Sequence, residues 1–245
     1  MDEHARSVRT MFASIAPRYD LLNHLLSLNL DRRWRRTAAQ MAFGVGRRDA
    51  AFSLLDCPQP PRVLDLCAGT GDLAIELARH CPEAHVVALD FVKPMLDRGR
   101  AKSLRAGMGD RIHVLCGDAF QLPFRAHSFD VLAVAFGLRN LSPVEAALTE
   151  AARVIRPGGR LVILEFAMPA RRLWRWLYGL YFFRVVPKIG RWISGTSAYS
   201  YLPASVALFL EPARLTETLG RLGFVDAQWR ALAGGAAAVH VARAS

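Results

Sequence analysis

Residues 62–79, RVLDLCAGTGDLAIELAR, constrain the fold more than any other stretch of the chain. Residues 63–66 are a short apolar run of the kind that forms a buried parallel strand. A turn of small residues follows, and Asp72 is a good N-cap for the helical periodicity that begins there. The segment predicts a strand, a glycine turn and a helix, in which Gly69 and Gly71 let a ligand lie directly against the backbone.

Acidic residues at the ends of two predicted strands indicate which ligand the turn accepts. A phosphate-binding loop would have Lys and then Ser or Thr after Gly71, and these residues are absent. A dinucleotide-binding fingerprint would begin with a glycine at position 67 or 68, where the chain has Cys and Ala. Asp65 would repel a pyrophosphate but suits a cation, such as the sulfonium and amino groups of S-adenosylmethionine. Asp90, after the apolar run 86–89, can accept both ribose hydroxyls. We therefore predict a nucleoside cofactor, with an unrelated glycine turn of a doubly wound protein as the alternative.

Further apolar runs extend the same α/β unit downstream. Residues 112–116 are predicted to be a strand that leads to Asp118, which can accept a hydrogen bond from an adenine amine. Residues 129–135 are predicted to be a strand that delivers the sequence FGLRN at its carboxyl end, where open α/β sheets hold their ligands. Other predicted elements are a turn at RPGG before a strand over residues 160–164, helices over residues 94–104, 143–155 and 212–222, and a late antiparallel hairpin of residues 224–231 and 239–242.

Two segments outside this unit are unusually apolar. Residues 8–15 have helical spacing, which APRYD is predicted to break, and residues 21–30, LLNHLLSLNL, precede the basic sequence RRWRR. We interpret residues 1–55 as a helical lid over the cofactor and an entrance for an apolar substrate; a helical hairpin that only packs on the core is the alternative.

Residues 171–192, RRLWRWLYGLYFFRVVPKIGRW, interleave aromatic and basic side chains. Such a mixture suits a bilayer interface or a lipid substrate. Packing over the substrate cavity and nucleic-acid binding are the other interpretations. The run 176–183 is too apolar for a solvated nucleic-acid surface, so we favour the lipid interface for the insertion, residues 167–210.

The charge balance also indicates an acidic partner. Lys and Arg number 32 against 21 Asp and Glu, for a formal net charge of +11. An arginine-rich surface with no special partner is the alternative. The N-terminus is too polar for a signal peptide and no apolar run is long enough to span a bilayer, so we expect a cytoplasmic protein, peripheral at most to the inner face of the membrane. The four cysteines predict neither a disulfide nor a metal site, and Cys67 and Cys116 are predicted to be buried.

Several longer motifs together resemble one enzyme family over nearly the whole chain. They are APRYD, VLDLCAGTGDLA, FGLRN, LEF and PKIGRWISG, of which the glycine turn is common to many methyltransferases and the others are more specific. The chain resembles the quinone-pathway C-methyltransferases, which methylate demethylmenaquinol or the benzoquinol precursors of ubiquinone. The resemblance implies a single α/β domain over residues 1–245, a class I S-adenosylmethionine-dependent methyltransferase (Rossmann-like) with a mainly parallel seven-stranded sheet. In it, residues 62–166 bind the cofactor and residues 211–245 close the fold.

The resemblance also implies binding residues. Family positions that bind S-adenosylmethionine match Thr70, Asp90, and Asp118 with Ala119. The family often carries Ser or Thr at position 135, and Ala135 removes that polar contact. The expected cofactor site is therefore made of Asp65, Gly69, Thr70, Gly71, Asp90, Asp118, Ala119 and Ala135.

The acceptor implied by the resemblance is a polyprenyl quinol, whose ring carbon becomes nucleophilic when a neighbouring hydroxyl ionises. A phenolic pKa is about 10, so the protein must stabilise the anion. Arg139 is the first candidate for this task, since a guanidinium donates two hydrogen bonds. Asn140 is a candidate for the second oxygen, and Tyr19 and Tyr201 for closing over the ring or passing a proton. Weaker candidates for a base are Asp20 and His240.

The sequence also leaves other functions open. They are a methyltransferase of the same fold acting on a small soluble or RNA acceptor, and a non-catalytic cofactor-binding partner in quinone synthesis. No nucleic-acid partner is expected, because FGLRN stands where a base-flipping motif would be. The choice between the two quinols, the prenyl length and the oligomeric state, including a homodimer, are also open.

Overall fold

A single seven-stranded sheet organises the part of the chain that the computed structural model describes, residues 3–44, 59–194 and 198–245. Its strands are β1 (Arg62–Leu66), β2 (His85–Asp90), β3 (Ile112–Cys116), β4 (Phe129–Ala135), β5 (Ile155–Phe166), β6 (Phe224–Leu232) and β7 (Ala237–Ala244). They lie in the order β3-β2-β1-β4-β5-β7-β6. The first five are parallel, and β7 is antiparallel to both β5 and β6. The predicted mainly parallel sheet with its late hairpin is confirmed.

Helices cover the sheet and its carboxyl edge. The α-helices are α1 (Glu3–Ile15), α2 (Tyr19–Leu26), α3 (Leu30–Ala42), α4 (Asp72–His80), α5 (Lys93–Arg105), α6 (Val144–Val154), α7 (Arg172–Leu180), α8 (Val186–Ser194), α9 (Ala198–Leu208) and α10 (Pro212–Arg221). A π-helical turn, Tyr181–Val185, joins α7 to α8. Among the described residues, no helix is both long and apolar enough to cross a bilayer.

The central strands are buried on both faces, which is why they read as continuous apolar runs. Successive side chains of a strand point to opposite faces. Val63 packs with α3 and α4 on one face, whereas Leu64 packs with α6 and α10 on the other. The same alternation points the side chain of Asp65 toward the face of α3 and α4.

Two sequence predictions were wrong in detail, and a third, the helix break at APRYD, was confirmed over a shorter stretch. RPGG is not a turn that precedes the strand over residues 160–164; it is a bulge inside a longer strand, β5, because pairing passes from Phe129–Ile155 to Val131–Arg160. APRYD breaks the helix only at a 3-10 turn, Ala16–Arg18, and its last two residues already begin α2. Cys116 is exposed rather than buried, because β3 is the edge strand.

Two helical layers meet over the carboxyl edge of the sheet. Helix α1 and the start of α2 pack on Val92 and Met95, beyond β2. The insertion approaches from the other side, where Phe182 and Val186 pack against Leu26 at the end of α2. The Tyr181 hydroxyl donates a hydrogen bond to the Leu26 carbonyl over 2.9 Å. The predicted lid and insertion therefore contact each other above the sheet.

Candidate active site

The glycine turn after β1 is held in shape by the acid at the end of β2. Gly69 and Gly71 have φ values of +55° and +77°, in the left-handed region that favours glycine. Asp90 accepts the Gly69 N–H over 2.8 Å and the Val92 N–H over 2.9 Å, one with each carboxylate oxygen. Each oxygen retains a second lone pair. Asp90 is thus fixed beside the turn and is still able to accept ribose hydroxyls.

Asp65 is a buried carboxyl group whose two oxygens accept no hydrogen bond of normal geometry among the described residues. Burial raises its pKa to about 8, against the lowering effects of the nearby Ala74 N–H and of the charge of Arg35. A buried carboxyl group without a polar partner costs folding free energy unless a ligand supplies that partner. A cationic ligand beside the turn would stabilise the ionised form. The residues present therefore fit S-adenosylmethionine, as the sequence predicted.

The other predicted cofactor residues follow the same edge of the sheet. Asp118 accepts the Phe120 N–H over 2.9 Å in the turn after β3, and Ala119 beside it is buried. Ala135 is the last residue of β4 and pairs with Leu164. Thr70 is buried in the glycine turn. These positions, together with Asp65, Gly69, Gly71 and Asp90, lie at the carboxyl ends of β1 to β4 or directly beyond them.

An ionic contact ties the lid to the glycine turn. Asp20 of α2 accepts the Thr70 hydroxyl over 2.5 Å and the Lys102 ammonium over 2.8 Å. Lys102, on α5, also pairs with Asp72 at the start of α4. Asp20 therefore fixes α2 against the glycine turn, and each of its carboxylate oxygens already accepts a hydrogen bond.

A cluster of His24, Asp31 and Asp72 brings possible metal ligands within 4.8 Å of one another. Asp31 pairs with His24 and with Arg35, and Asp72 pairs with Lys102. Basic side chains therefore already compensate both carboxylates, and the cluster functions as an ion-pair network at the base of the lid.

An aromatic cavity of about 290 Å³ lies between the lid, the end of β4 and the insertion. Trp34 and Phe136 are 6.1 Å apart between ring centroids, and Phe136 and Phe166 are 4.6 Å apart. Three of the four predicted catalytic residues line this cavity: Tyr19, Arg139 and Tyr201. The structure thus assembles residues from α2, the turn after β4 and α9 around one space.

Arg139 is held in the cavity wall by a buried ion pair. Its side chain is 6 % exposed and its Nη1 donates to Glu165 over 2.7 Å and to the Phe136 carbonyl. Its Nε donates to the Ser205 hydroxyl over 3.3 Å, and its guanidinium lies 5.4 Å from the Phe166 ring centroid. Within the described residues, these contacts leave the N–H groups of Nη2 for a ligand.

The two tyrosines are protonated groups in this cavity. Burial raises the pKa of Tyr19, and burial also raises the pKa of Tyr201, against the lowering effect of the nearby Arg139. A phenol with a raised pKa donates a hydrogen bond at neutral pH and does not act as a base. Both side chains therefore suit contact with an anionic oxygen.

Two predicted residues lie outside the cavity lining. Asn140 ends the 3-10 turn Leu138–Asn140, and its Oδ1 is buried without a partner. His240 is in the middle of β7, where its Nε2–H donates to the Pro212 carbonyl over 3.0 Å and burial lowers its pKa. His240 is therefore a structural residue of the closing hairpin and not a base for the cavity.

Some residues in the cavity wall, or paired with a residue of that wall, were not predicted from the sequence as part of the site. Glu165 directly follows the predicted strand 160–164, and Trp34 and Arg35 belong to the basic sequence RRWRR. A buried acid after an apolar strand is a usable signal for Glu165. No local pattern identifies Trp34, because its partners Phe136 and Phe166 are more than a hundred residues away.

The sheet order, the glycine turn with its two acids, and the covered cavity at the carboxyl edge define an S-adenosylmethionine-dependent methyltransferase. Solved structures agree on the fold. An S-adenosylmethionine-dependent methyltransferase from Aquifex aeolicus has a TM-score of 0.56 at 18% identity, over 76% of this chain and 84% of that one. The [4+2]-cyclase SpnF has a TM-score of 0.66 at 16% identity, over 96% and 95% of the two chains.

The chain belongs to the ubiE/COQ5 methyltransferase family, whose profile matches residues 1–244. It is 45% identical to a demethylmenaquinone methyltransferase of Deinococcus radiodurans, over 98% of this chain and 93% of that protein. It is 44% identical to a protein of the same name from Thermus thermophilus, over 94% and 98%. A ubiquinone/menaquinone biosynthesis C-methyltransferase of Geobacter sp. (strain M21) is 40% identical, over 98% and 97%. The family expected from the motifs is confirmed.

Proposed function

We propose that the protein transfers the methyl group of S-adenosylmethionine to a ring carbon of a polyprenyl quinol, with demethylmenaquinol as the preferred acceptor. The names of the relatives support this acceptor, and the benzoquinol precursor of ubiquinone is the second candidate. The observation that carries the proposal is a buried arginine, Arg139, in the wall of an aromatic cavity next to the cofactor turn.

The mechanism follows from what the cavity must do to the acceptor. S-adenosylmethionine supplies a methyl group that is already activated on a sulfonium. Aromatic walls hold the flat ring in one plane and orient it. The free N–H groups of Arg139 stabilise the quinolate oxygen, which lowers the cost of ionising a phenol whose usual pKa is about 10. The phenolic proton passes to water. The ring carbon loses its own proton to water once it has accepted the methyl group, which restores the aromatic ring. Tyr19 and Tyr201 line the same cavity and donate hydrogen bonds to the ring oxygens.

The first experiment tests the reaction and the acceptor together. Purified protein is incubated with labelled S-adenosylmethionine and short-tailed forms of demethylmenaquinol and the benzoquinol precursor, kept reduced. We expect label in the menaquinol. Label in the benzoquinol alone would mean that the ubiquinone precursor, and not demethylmenaquinol, is the acceptor. Labelling of neither quinol by a protein that still binds the cofactor would overturn the proposed acceptor while leaving the family assignment intact.

We also propose that the insertion contacts an anionic membrane surface at the inner face of the cell membrane. No residue of α7 is buried. Leu173, Trp176 and Trp192 are 72%, 64% and 85% exposed, and Arg172 and Lys188 are exposed on the same segment. Exposed tryptophans beside basic residues are typical of bilayer interfaces. The net charge of +11 favours anionic lipid.

Liposome flotation tests this membrane contact. We expect the protein to float with vesicles that contain anionic lipid, and the double variant Trp176→Ser/Trp192→Ser to float much less. Leu104→Ser is the matched control, because Leu104 is 60% exposed on α5, outside the insertion. Flotation that is equal for the double variant and the control would contradict the proposed surface.

A further inference from the structure

A second cavity lies next to the aromatic one, and its volume is about 1120 Å³. It runs between α7, the β6–β7 hairpin and the junction of α9 with α10. We call it the outer groove and define it by six of its lining residues, Trp174, Leu177, Phe183, Ala207, Leu210 and Trp229. Its described lining is apolar apart from Arg171, Arg175 and Glu211.

The outer groove and the aromatic cavity share a wall. Phe166, Trp174 and Leu177 line both spaces. Trp174 packs onto the turn of the late hairpin, because a Cβ on Gly234 would lie only 2.5 Å from the indole Nε1. Gly234 therefore leaves the room that the indole occupies, and the indole stands at the boundary between the two spaces.

The sizes of the two spaces indicate different contents. A volume of 290 Å³ is at the lower end of the usual range for small-molecule pockets, about 300–1,000 Å³. It suits a ring system and not a long chain. A polyprenyl tail must therefore leave the aromatic cavity, and burial of its apolar surface favours a route that is itself apolar.

The charged residues of the outer groove lie where they do not oppose an apolar chain. The Arg175 Nε donates to the Pro169 carbonyl over 2.8 Å, which ties this guanidinium to the backbone at the edge of the groove. Arg171 and Glu211 are exposed at the ends of α7 and α10. Phe183, Leu210 and Trp229 are among the apolar residues that make up the rest of the lining.

We propose that the outer groove binds the isoprenoid tail of the acceptor, with Trp174 at the point where the tail leaves the head-group cavity. This inference rests on the proposed function. It assigns the tail a protein site beneath the exposed face of α7, so the tail is held by the enzyme while the ring reacts. The competing route leads from the same cavity past Leu28 of the lid into the surroundings.

A filling substitution tests the outer groove, and the chain offers a matched control. Ala207 and Ala204 are both exposed on α9, but only Ala207 lines the groove. We expect Ala207→Trp to raise the KM for a quinol with a long tail by about tenfold or more and to leave the KM for a one-unit tail unchanged. Ala204→Trp should behave as the wild type. An equal change for both tails, or an effect of Leu28→Trp in place of Ala207→Trp, would overturn the proposal.

A binding measurement separates the groove from the reaction. Geranylgeraniol, an isoprenoid alcohol without a quinol ring, is titrated into the wild type, Ala207→Trp and Ala204→Trp, and quenching of tryptophan fluorescence is followed. Binding that is at least tenfold weaker in Ala207→Trp alone supports the groove, whichever quinol is methylated. Equal binding by all three proteins, or no binding by the wild type, overturns it. Failure of the proposed function would instead appear as methylation of neither quinol.

Discussion

The two ends of the site are built from opposite electrostatic arrangements. At the cofactor end, Asp65 and Asp90 are buried acids that form no ion pair among the described residues, and Asp90 is held only by backbone N–H groups. At the acceptor end, the acid Glu165 is paired with Arg139, which still has N–H groups to offer. The first end is suited to receive a cation and the second to receive an anion. A sulfonium donor and a quinolate acceptor require such a pair of ends.

The largest expected effect comes from removing the cation at the acceptor end. Arg139→Gln should lower the rate of methyl transfer about ten- to a thousandfold, the range for a lost oxyanion stabiliser, with cofactor affinity unchanged. Turnover under saturating substrates and cofactor titration measure the two quantities.

Arg139→Gln also leaves Glu165 buried without its partner, which costs about 3–5 kcal/mol of folding free energy. The double variant Arg139→Gln/Glu165→Gln separates the two effects. We expect it to regain thermal stability but not activity. Wild-type turnover in the double variant would remove Arg139 from the mechanism.

The next effect concerns the ribose acceptor at the cofactor end. Asp90→Ala should weaken cofactor binding by roughly ten- to a hundredfold, because hydrogen bonds to a charged group are worth about 1.5–3 kcal/mol each. Asp90→Asn, which retains one acceptor oxygen, should lose less cofactor affinity than Asp90→Ala. Calorimetric titration gives both affinities, and an unchanged affinity in Asp90→Ala would show that the ribose assignment is wrong.

Asp65 should make cofactor binding depend on pH. Since its pKa is raised to about 8, it is mostly protonated at pH 7, and a cationic ligand must displace that proton. Affinity should therefore rise by roughly fiftyfold between pH 6 and pH 8, because the ionised fraction of Asp65 rises from about 1% to about 50% over this range. Asp65→Asn should bind weakly with no such slope. A slope that persists in Asp65→Asn would assign the proton to another group.

The same pKa makes a prediction for the stability of the free protein. Its folded value lies above the ordinary value of 3.8. Asp65 therefore opposes folding increasingly as pH rises from about 4 to about 8. Thermal melts over this range should show that the melting temperature of Asp65→Asn, relative to that of the wild type, increases as pH rises.

The smallest effect is expected where the lid meets the cofactor turn. Lys102→Met removes the ammonium that Asp20 and Asp72 share, and we expect the bound cofactor to dissociate a few-fold faster in stopped-flow measurements. Partly exposed ion pairs contribute little, so a large effect is not expected. Lys93→Met is the control, because its pair with Asp97 is exposed on the same helix. Equal dissociation rates in the two variants would mean that this contact does not hold the lid.

The same two ends differ in how much of them the sequence reveals. At the cofactor end, the turn and its acids follow short strands, and β3 and β4 begin and end where the apolar runs predict. At the acceptor end, the ion pair joins residues 26 positions apart. The contact of α2 with the cofactor end also joins distant residues, because Asp20 and Lys102 are 82 positions apart. Arg139 was predicted because strand ends hold ligands, but its partner was not, since pairing of distant side chains leaves no local pattern.

The bulge in β5 shows a limit of turn signals. Pro157, Gly158 and Gly159 predict a turn between elements, and Gly158 does adopt a positive φ of +74°. Pairing with β4 nevertheless continues on both sides, so the local conformation was foreseen and its position inside a strand was not.

Helix α2 has contacts at both of its ends with different halves of the molecule. Asp20 at its start meets Thr70 and Lys102, and Leu26 at its end accepts the Tyr181 hydroxyl from the insertion. Eight residues of helix span about 12 Å and move as a rigid rod. A tilt of α2 that separates Asp20 from the glycine turn therefore also disturbs the contact of Leu26 with the insertion. The cofactor turn and the insertion are thus linked mechanically through one short helix.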